Sequence, residues 1–491
     1  MTDYLALDLG AESGRAIVGT LEKGKLTLNE VHRFANSPVH LPDGMHWDVP
    51  RLWSEIKAGI AAAIKAGARP AGLGFDTWGV DFALLDKHGA LLGNPYHYRD
   101  ARTDGIPDEA FKIVPRADIF AHTGIQFMQL NTLYQLYAMS LAKSPLFEVA
   151  ATFVTVPDLF NYWLSGQISN EFTIATTTQC YNPIIHDWAK NMLEALGIPS
   201  RLFGPVSQPG TVLGTLLPAV AAETGSGEVK VVLPACHDTG SAVVAVPAGN
   251  EDFAWLSSGT WSIMGAEVQE PVLTKKALAY NFTNEGGVGG WRLSKNIMGL
   301  WPVQECRRFW RAQGEDLGYD EITRLAAEAR PFMAVIDLDA VNFFHPGEMP
   351  EKIRQFCTES GQPVPQTKGE IIRVALESLA LKYRLTLERT EELSSQRLDP
   401  IHIIGGGTKN RLLNQFTADC TGRRVVTGPV EATAIGNVLT QAIALGQLGS
   451  LAEARAVVRK SFDVETYQPG HSAGWDVAYQ KLLKLMDSNI S

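Results

Sequence analysis

His237-Asp238-Thr239-Gly240-Ser241 follows the apolar stretch 231–233. A carboxylate at the end of a strand can take a proton from a substrate hydroxyl, so Asp238 is a candidate general base, with His237 and Thr239 beside it. Two other readings fit the same letters. Asp-Thr-Gly-Ser is the loop of aspartic proteases, but those need two copies because two carboxylates share one proton, and this chain has one. Asp238 could also simply cap the helix that follows. Cys236 reads as a small buried apolar residue. Asp76-Thr-Trp-Gly-Val-Asp81 adds two carboxylates, an aromatic and a glycine in a short span. Asp76, Trp78 and Gly79 suit a hydroxyl-rich ligand, and a core tryptophan with surface acids is the equal alternative. Tyr98-Arg99-Asp100 with Arg102 reads as a polar wall or an internal ion-pair cluster. Asn296 and Gln304 are amides that serve as ligands or as helix surface.

A second set of residues suits phosphate. Asp8-Leu-Gly-Ala11-Glu12-Ser13-Gly14-Arg15 joins a strand-end carboxylate to small residues, a hydroxyl and an arginine. Such a turn brings backbone N–H groups to an anion, and Asp8 could hold Mg²⁺ through water. An ordinary β-hairpin explains it equally well. Ser257-Ser-Gly-Thr260 holds the matching place in the second half, and the two turns together could cradle successive phosphates. Gly405-Gly406-Gly407 lets a planar base or a ribose lie on bare backbone at a helix start, or forms a tight strand-to-helix turn. No GxxxxGK[ST] loop is present, which excludes a Walker-type nucleotide site. The histidines show no HExxH spacing and the cysteines no CxxC, so no structural metal is expected.

The elements that position these residues follow from periodicity. Residues 4–9, 15–21 and 26–34 read as a β-meander. A helix carries Leu52, Ile56, Ile60 and Ile64 on one face, and strand 72–75 delivers Asp76. The second half repeats the plan with strands at 253–256 and 261–268, a helix over 370–393, a strand at 401–404 and a helix over 409–422. A strand at 425–427 and a helix over 431–446 complete it. Two copies of strand–turn–strand, each followed by helix and strand, imply two α/β domains of one type. The cut is expected near Ala242, giving domains over 1–242 and 243–460 and a helical terminal segment over 461–491.

Length and charge agree. A chain of 491 residues is long for one core. A net charge of -10 argues against a nucleic-acid or anionic-membrane footprint. No apolar run approaches the ~20 residues of a spanning helix, and no signal peptide is evident. A cytoplasmic protein with small-molecule partners is expected.

Taken in order, these motifs resemble the FGGY carbohydrate kinases of the actin-like ATPase group. Asp8 to Arg15, Asp76 to Phe82, Tyr98 to Thr103, Asn131 to Leu136 and Pro157 to Tyr162 carry the likeness. It continues through His237 to Thr239, Ser257 to Ser262, Asn296 to Trp301, the triple glycine and Gly428 to Ala432. The resemblance implies two actin-like (ribonuclease H-like) domains flanking a catalytic cleft, the first binding sugar and the second nucleotide. It implies Asp238 as the base, with Gly79, His237, Thr239 and Asn296 on the sugar. Ala11 to Arg15, Thr260, Gln304, Gly405 and Gly406 would contact ATP, accompanied by Mg²⁺. The expected acceptor is a small ketose, L-rhamnulose at O1; the alternatives are another sugar such as L-fuculose or, in a different class, a non-catalytic actin-like protein that uses ATP binding as a switch.

Overall fold

The computed structural model describes residues 1–249, 252–470 and 473–488. The chain divides into two compact units: residues 1–249, 267–293 and 431–462 form the first, and residues 250–266, 294–430 and 463–491 the second.

The first unit is built on a six-stranded sheet of β1 (Thr2–Leu9), β2 (Ser13–Glu22), β3 (Lys25–Ala35), β4 (Pro70–Thr77), β5 (Val212–Thr215) and β6 (Lys230–Val232), in the order β5-β6-β4-β1-β2-β3. The meander β1–β3 is antiparallel, β1 and β4 are parallel, and β4 and β6 are parallel. Helix Val49–Lys65 starts at Asp48, whose side chain accepts from the Arg51 N–H, and Pro50 sits in its first turn, where no donor is required. Its buried Leu52, Ile56 and Ile60 recur every four residues and close one core with Leu5, Leu7, Phe75, Phe160 and Val231. A second apolar cluster around Phe82, Tyr134, Phe153 and Trp188 holds the helices of residues 106–203.

The other sheet contains β7 (Ala254–Ser258), β8 (Trp261–Val268), β9 (Thr283–Gly286), β10 (Trp291–Met298), β11 (Ile401–Ile404), β12 (Val425–Thr427) and β13 (Thr466–Tyr467), in the order β9-β10-β8-β7-β11-β12-β13. Here β7 pairs antiparallel with β8 and parallel with β11, β11 parallel with β12, and β12 antiparallel with β13. This is the pairing pattern of β2-β1-β4-β6-β5, so the repeat of plan is real at the level of strand pairing. The long helix Lys368–Ser394 begins with a capping box of Thr367 and Glu370 and buries Ile372, Leu379 and Tyr383 in the second unit's core. Pro302 lies in the first turn of helix Trp301–Ala312, so it starts this helix and does not interrupt it.

A single cut at residue 242 is replaced by several crossings. Helix Ala432–Ala444, expected in the second domain, belongs to the first unit. Small residues explain the docking: Gly19 meets Val438, Gly72 and Gly74 meet Gln441 and Asn437, and Gly436 meets the Ser241 carbonyl. Helix Ala473–Ser488 follows in the second unit, and the expected end of the terminal segment, 489–491, lies outside the described residues. Among the described residues no helix is long and apolar enough to cross a membrane.

Candidate active site

In the first unit three aspartates come together. The parallel register of β1 and β4 places Asp8 beside Asp76, and Asp238 is the first residue of helix Asp238–Val244. Asp8 and Asp76 are 4% and 0% exposed, whereas 34% of the Asp238 side chain is accessible. Arg15, opposite Asp8 in the hairpin, bridges Asp8 at 2.5 Å and also pairs with Glu431. Burial raises the Asp8 carboxyl and the charge of Arg15 opposes this, while Asp238 adds to it. Asp76 is raised further, by burial first and then by Asp8. Asn437 donates to Asp76 Oδ2 at 2.5 Å, while Asp76 Oδ1 is buried with no partner.

The loop before Asp238 is pinned from below. The Thr77 N–H donates to the Cys236 carbonyl at 2.9 Å, and the Cys236 N–H donates to Glu171 Oε2 at 3.1 Å. The His237 N–H donates to Thr173 Oγ1 at 3.1 Å, and that hydroxyl donates to Glu171 Oε2 at 2.6 Å. His237 is the N-cap of the helix, so Asp238 is not its cap. Thr239 donates through its hydroxyl to Asp238 Oδ1 at 3.1 Å. His237 Nε2 lies 3.4 Å from Asp238 Oδ1. Its Nδ1 lies 3.0 Å from Arg292 Nη2 and 3.3 Å from Glu285 Oε2. Gly79 faces the same ring: a Cβ there would stand 3.4 Å from His237 Nε2 and 3.2 Å from Thr177 Oγ1. Cys236 is fully buried and burial pushes its thiol well up, which fits an inert packing residue.

Trp78 and Asp81 are mainly architectural. Trp78 is 6% exposed and packs on Trp47 at 4.0 Å. Asp81 Oδ2 accepts from Trp47 Nε1 at 2.6 Å, Trp78 Nε1 at 2.9 Å and the Tyr98 N–H at 3.2 Å, and Oδ1 accepts from Gln135 at 2.9 Å. Burial nevertheless lifts its carboxyl to about 6. Asp100 and Arg102 bind Met45 N–H and Gln135, an internal scaffold.

The glycine turns divide by cause. Gly14 is glycine because a Cβ would enter the Phe34 ring at 2.2 Å. Ala11 and Glu12 form the hairpin tip, closed by Gly10 N–H to the Ser13 carbonyl at 2.9 Å and by Asn36. In the second unit, Thr260 turns β7 into β8, and its carbonyl receives the Trp301 N–H at 3.2 Å. This draws helix Trp301–Ala312, with half-buried Gln304 in its first turn, to the same turn. Ser257 pairs with Ile404, so the triple glycine emerges beside Ser258. A Cβ on Gly407 would strike Ser258 Oγ at 2.0 Å, and Gly405 holds a φ of 84°, so both are demanded by packing and backbone. Gly406 has open space around it. Asn296 is half-buried on β10.

Glu171, Glu285, Arg292 and Asn437 surround these groups, and no sequence motif marks them. Gly286-Gly287 after Glu285 is the one local signal near them: Gly286 lets the strand pass Phe172, which a Cβ would meet at 2.5 Å.

Models of the N-terminal and C-terminal domains of the FGGY family of carbohydrate kinases match residues 3–245 and 254–445. The chain belongs to the FGGY family of carbohydrate kinases. Among its relatives, the rhamnulokinase of Bacteroides thetaiotaomicron is 43% identical over 97% of this chain and 98% of its own. That of Oceanobacillus iheyensis is 43% identical over 94% and 97%. The solved xylulose kinase of Lactobacillus acidophilus superposes with a TM-score of 0.86 at 15% identity, covering 100% of this chain and 99% of its own. At that identity the likeness is one of fold, the two-domain FGGY kinase fold.

Proposed function

We propose that this FGGY kinase transfers the γ-phosphoryl group of ATP to O1 of L-rhamnulose, giving L-rhamnulose 1-phosphate and ADP, with Asp238 as the base. The acceptor rests on the relatives named rhamnulokinase, 43% identical over nearly the whole chain. The base rests on one observation: of three interacting aspartates, Asp238 alone leaves its carboxylate open to a ligand. In the reaction Asp238 accepts the proton of the O1 hydroxyl, the oxygen attacks the γ-phosphorus, and the bond to the β-phosphate oxygen breaks to release ADP. Gly79, His237, Thr239 and Asn296 bind and orient the sugar, with Asp76 and Trp78 supporting that wall. Ala11, Glu12, Ser13, Gly14, Arg15, Thr260, Gln304, Gly405 and Gly406 form the nucleotide contacts.

Magnesium fits these residues as a hydrated ion. Among the described residues no cluster of three or more His, Cys, Asp or Glu side chains could ligate a metal directly, but Asp76 Oδ1 is an unpartnered acceptor next to Asp8. Mg²⁺ keeps several waters and leans on substrate phosphates, so Asp8 and Asp76 would hold its waters. When bound it would neutralise charge on the phosphates. The five free, buried cysteines fit a reducing compartment such as the cytoplasm.

The test is ADP release with and without L-rhamnulose, L-fuculose and D-xylulose, on wild type and Asp238→Asn. Asn keeps the shape but cannot take a proton, so kcat should fall about 10²–10⁴-fold with little change in KM. Sugar-dependent turnover near wild type in the variant would remove Asp238 as the base. A higher kcat/KM for another ketose would replace the substrate.

A further inference from the structure

Arg292 is fully buried, and its Nε donates to the Gly286 carbonyl at 2.8 Å. Its Nη2 reaches Glu285 Oε2 at 3.1 Å and His237 Nδ1 at 3.0 Å. Burial alone would raise the Glu285 carboxyl, and the fixed charge of Arg292, 3.1 Å from its Oε2, opposes this. Glu285 is therefore a carboxylate and Arg292 its counter-charge. Burying such a pair is expensive, and an apolar pair of the same volume would often serve stability better. Its place against one edge of a single imidazole indicates what it is for.

We propose that Arg292, anchored by Glu285, is a positioning residue that orients His237 and holds it as the Nε2–H tautomer, presenting a donor to Asp238 and to a substrate oxygen beside it. The inference deepens the proposed reaction and rests on Asp238 being its base. A guanidinium can only donate, so the nearest neighbour of Nδ1 requires a lone pair there. On the opposite edge Nε2 faces Asp238 Oδ1 at 3.4 Å, and an ionised carboxylate can only accept. The Nε2–H tautomer satisfies Arg292 and Asp238; it sets the Nδ1 lone pair 3.3 Å from Glu285 Oε2, a contact that the Arg292 charge between them offsets. The Nδ1–H tautomer would set an N–H against the guanidinium and a lone pair against the carboxylate. Gly79 leaves the Nε2 edge open, since a side chain there would stand 3.4 Å from it. Asp238 thereby faces a donor 3.4 Å away that helps to aim its free lone pairs, and Arg292 holds the Nδ1 edge of the ring.

Nitrogen-15 spectra of histidine-labelled wild type at pH 7, assigned with His237→Asn, read the tautomer without reference to activity. Protonated Nε2 with unprotonated Nδ1 is expected, and the reverse pattern overturns the proposal. In Arg292→Met the Nδ1–H form should gain population through Glu285. The kcat for sugar-dependent ADP release should then fall by up to ~100-fold, as for a misplaced reacting group, with the KM for ATP unchanged. Arg292→Lys should recover part of the loss. A purely structural role would lower the unfolding temperature of Arg292→Met and leave kcat and the tautomer as in wild type, which also overturns the proposal. Should Arg292→Met fail to fold, Glu285→Gln and the wild-type spectrum decide the same question. Absence of sugar-dependent turnover in wild type would refute the proposed reaction, and the spectra would still decide the tautomer.

Discussion

Gly436→Ala should disable the kinase by moving a residue it does not touch. Gly436 lies where helix Ala432–Ala444 crosses helix Asp238–Val244, and a Cβ there would stand 1.8 Å from the Ser241 carbonyl oxygen and 2.6 Å from its carbon. Comfortable carbon–oxygen contact begins at about 3.3 Å, so the two backbones must part by about 1.5 Å. No side-chain rotation relieves this contact, because the obstacle is main chain. Overpacking of this kind costs typically 1–3 kcal/mol and occasionally more. The seven-residue helix that yields starts with Asp238, so much of the displacement arrives at the proposed base. Misplacing a reacting group by about 1 Å can cost ~100-fold in rate.

Gly19→Ala is the matched control. Its Cβ would meet Val438 Cγ2 at 2.7 Å, a side chain on the same helix and not a main-chain atom. Both variants should unfold earlier than wild type in thermal melts followed by circular dichroism. Only Gly436→Ala should lose about 100-fold in kcat at saturating sugar and ATP. If Gly436→Ala keeps wild-type kcat, or if both variants lose kcat in proportion to their stability, the link from this helix crossing to Asp238 is wrong.

Asp81→Leu should cost several kcal/mol, because the Trp47, Trp78, Tyr98 and Gln135 donors lose their acceptor at about 1–3 kcal/mol each. A urea midpoint equal to wild type would refute the hub. Asp158 is raised from 3.8 to about 8, by burial first and then by Glu171. The folded protein therefore keeps a proton that the unfolded chain has released, so this group's contribution falls as pH rises from about 4 through 8. Asp158→Asn mimics the protonated acid, and its urea midpoint should approach that of wild type below about pH 4 and exceed it by a margin that grows as pH rises to about 8; an offset independent of pH would contradict the sign. Thr260→Val should raise the KM for ATP more than that for sugar, at about 1.5–3 kcal/mol for a hydrogen bond to a charged group, and a rise confined to the sugar KM would move Thr260 out of the nucleotide site.

Helix Val49–Lys65 was legible because it buries one face at its own period, and strands 254–258 and 401–404 because they are short apolar runs buried on both faces. The helices of residues 106–203 left a weaker trace. Helix Thr132–Leu141 is buried over most of its surface, so apolar residues recur with no clear stripe. Helix Ala432–Ala444 was legible as a helix and not as a member of the first unit. Its partners are Gly19, Gly72, Gly74 and Ser241, and their smallness is informative only once the helix is seen against them. The triple glycine shows the same limit in reverse. Gly407 reads like a nucleotide cradle, yet Ser258 alone suffices to exclude any side chain there.

The site motifs were legible as a set and ambiguous singly, because one carboxylate letter serves three physical roles here. Asp81 is surrounded by donors and anchors two tryptophans. Asp8 and Asp76 are buried, with an arginine on one and an orphan oxygen on the other, which suits them to face a cation through water. Asp238 has the exposure a base requires, with the Thr239 hydroxyl and His237 fixing one of its oxygens. Burial and partners separate these roles, and both arise from strands and helices far apart in sequence: Asp76 depends on Asn437, and Asp238 on Ser241 resting against Gly436. The placement of Asp238 is therefore set by the returning segment 431–462 as much as by its own motif. An exchange of that segment with a relative should transfer kcat only when the small residues facing it at 19, 72, 74 and 241 are exchanged as well.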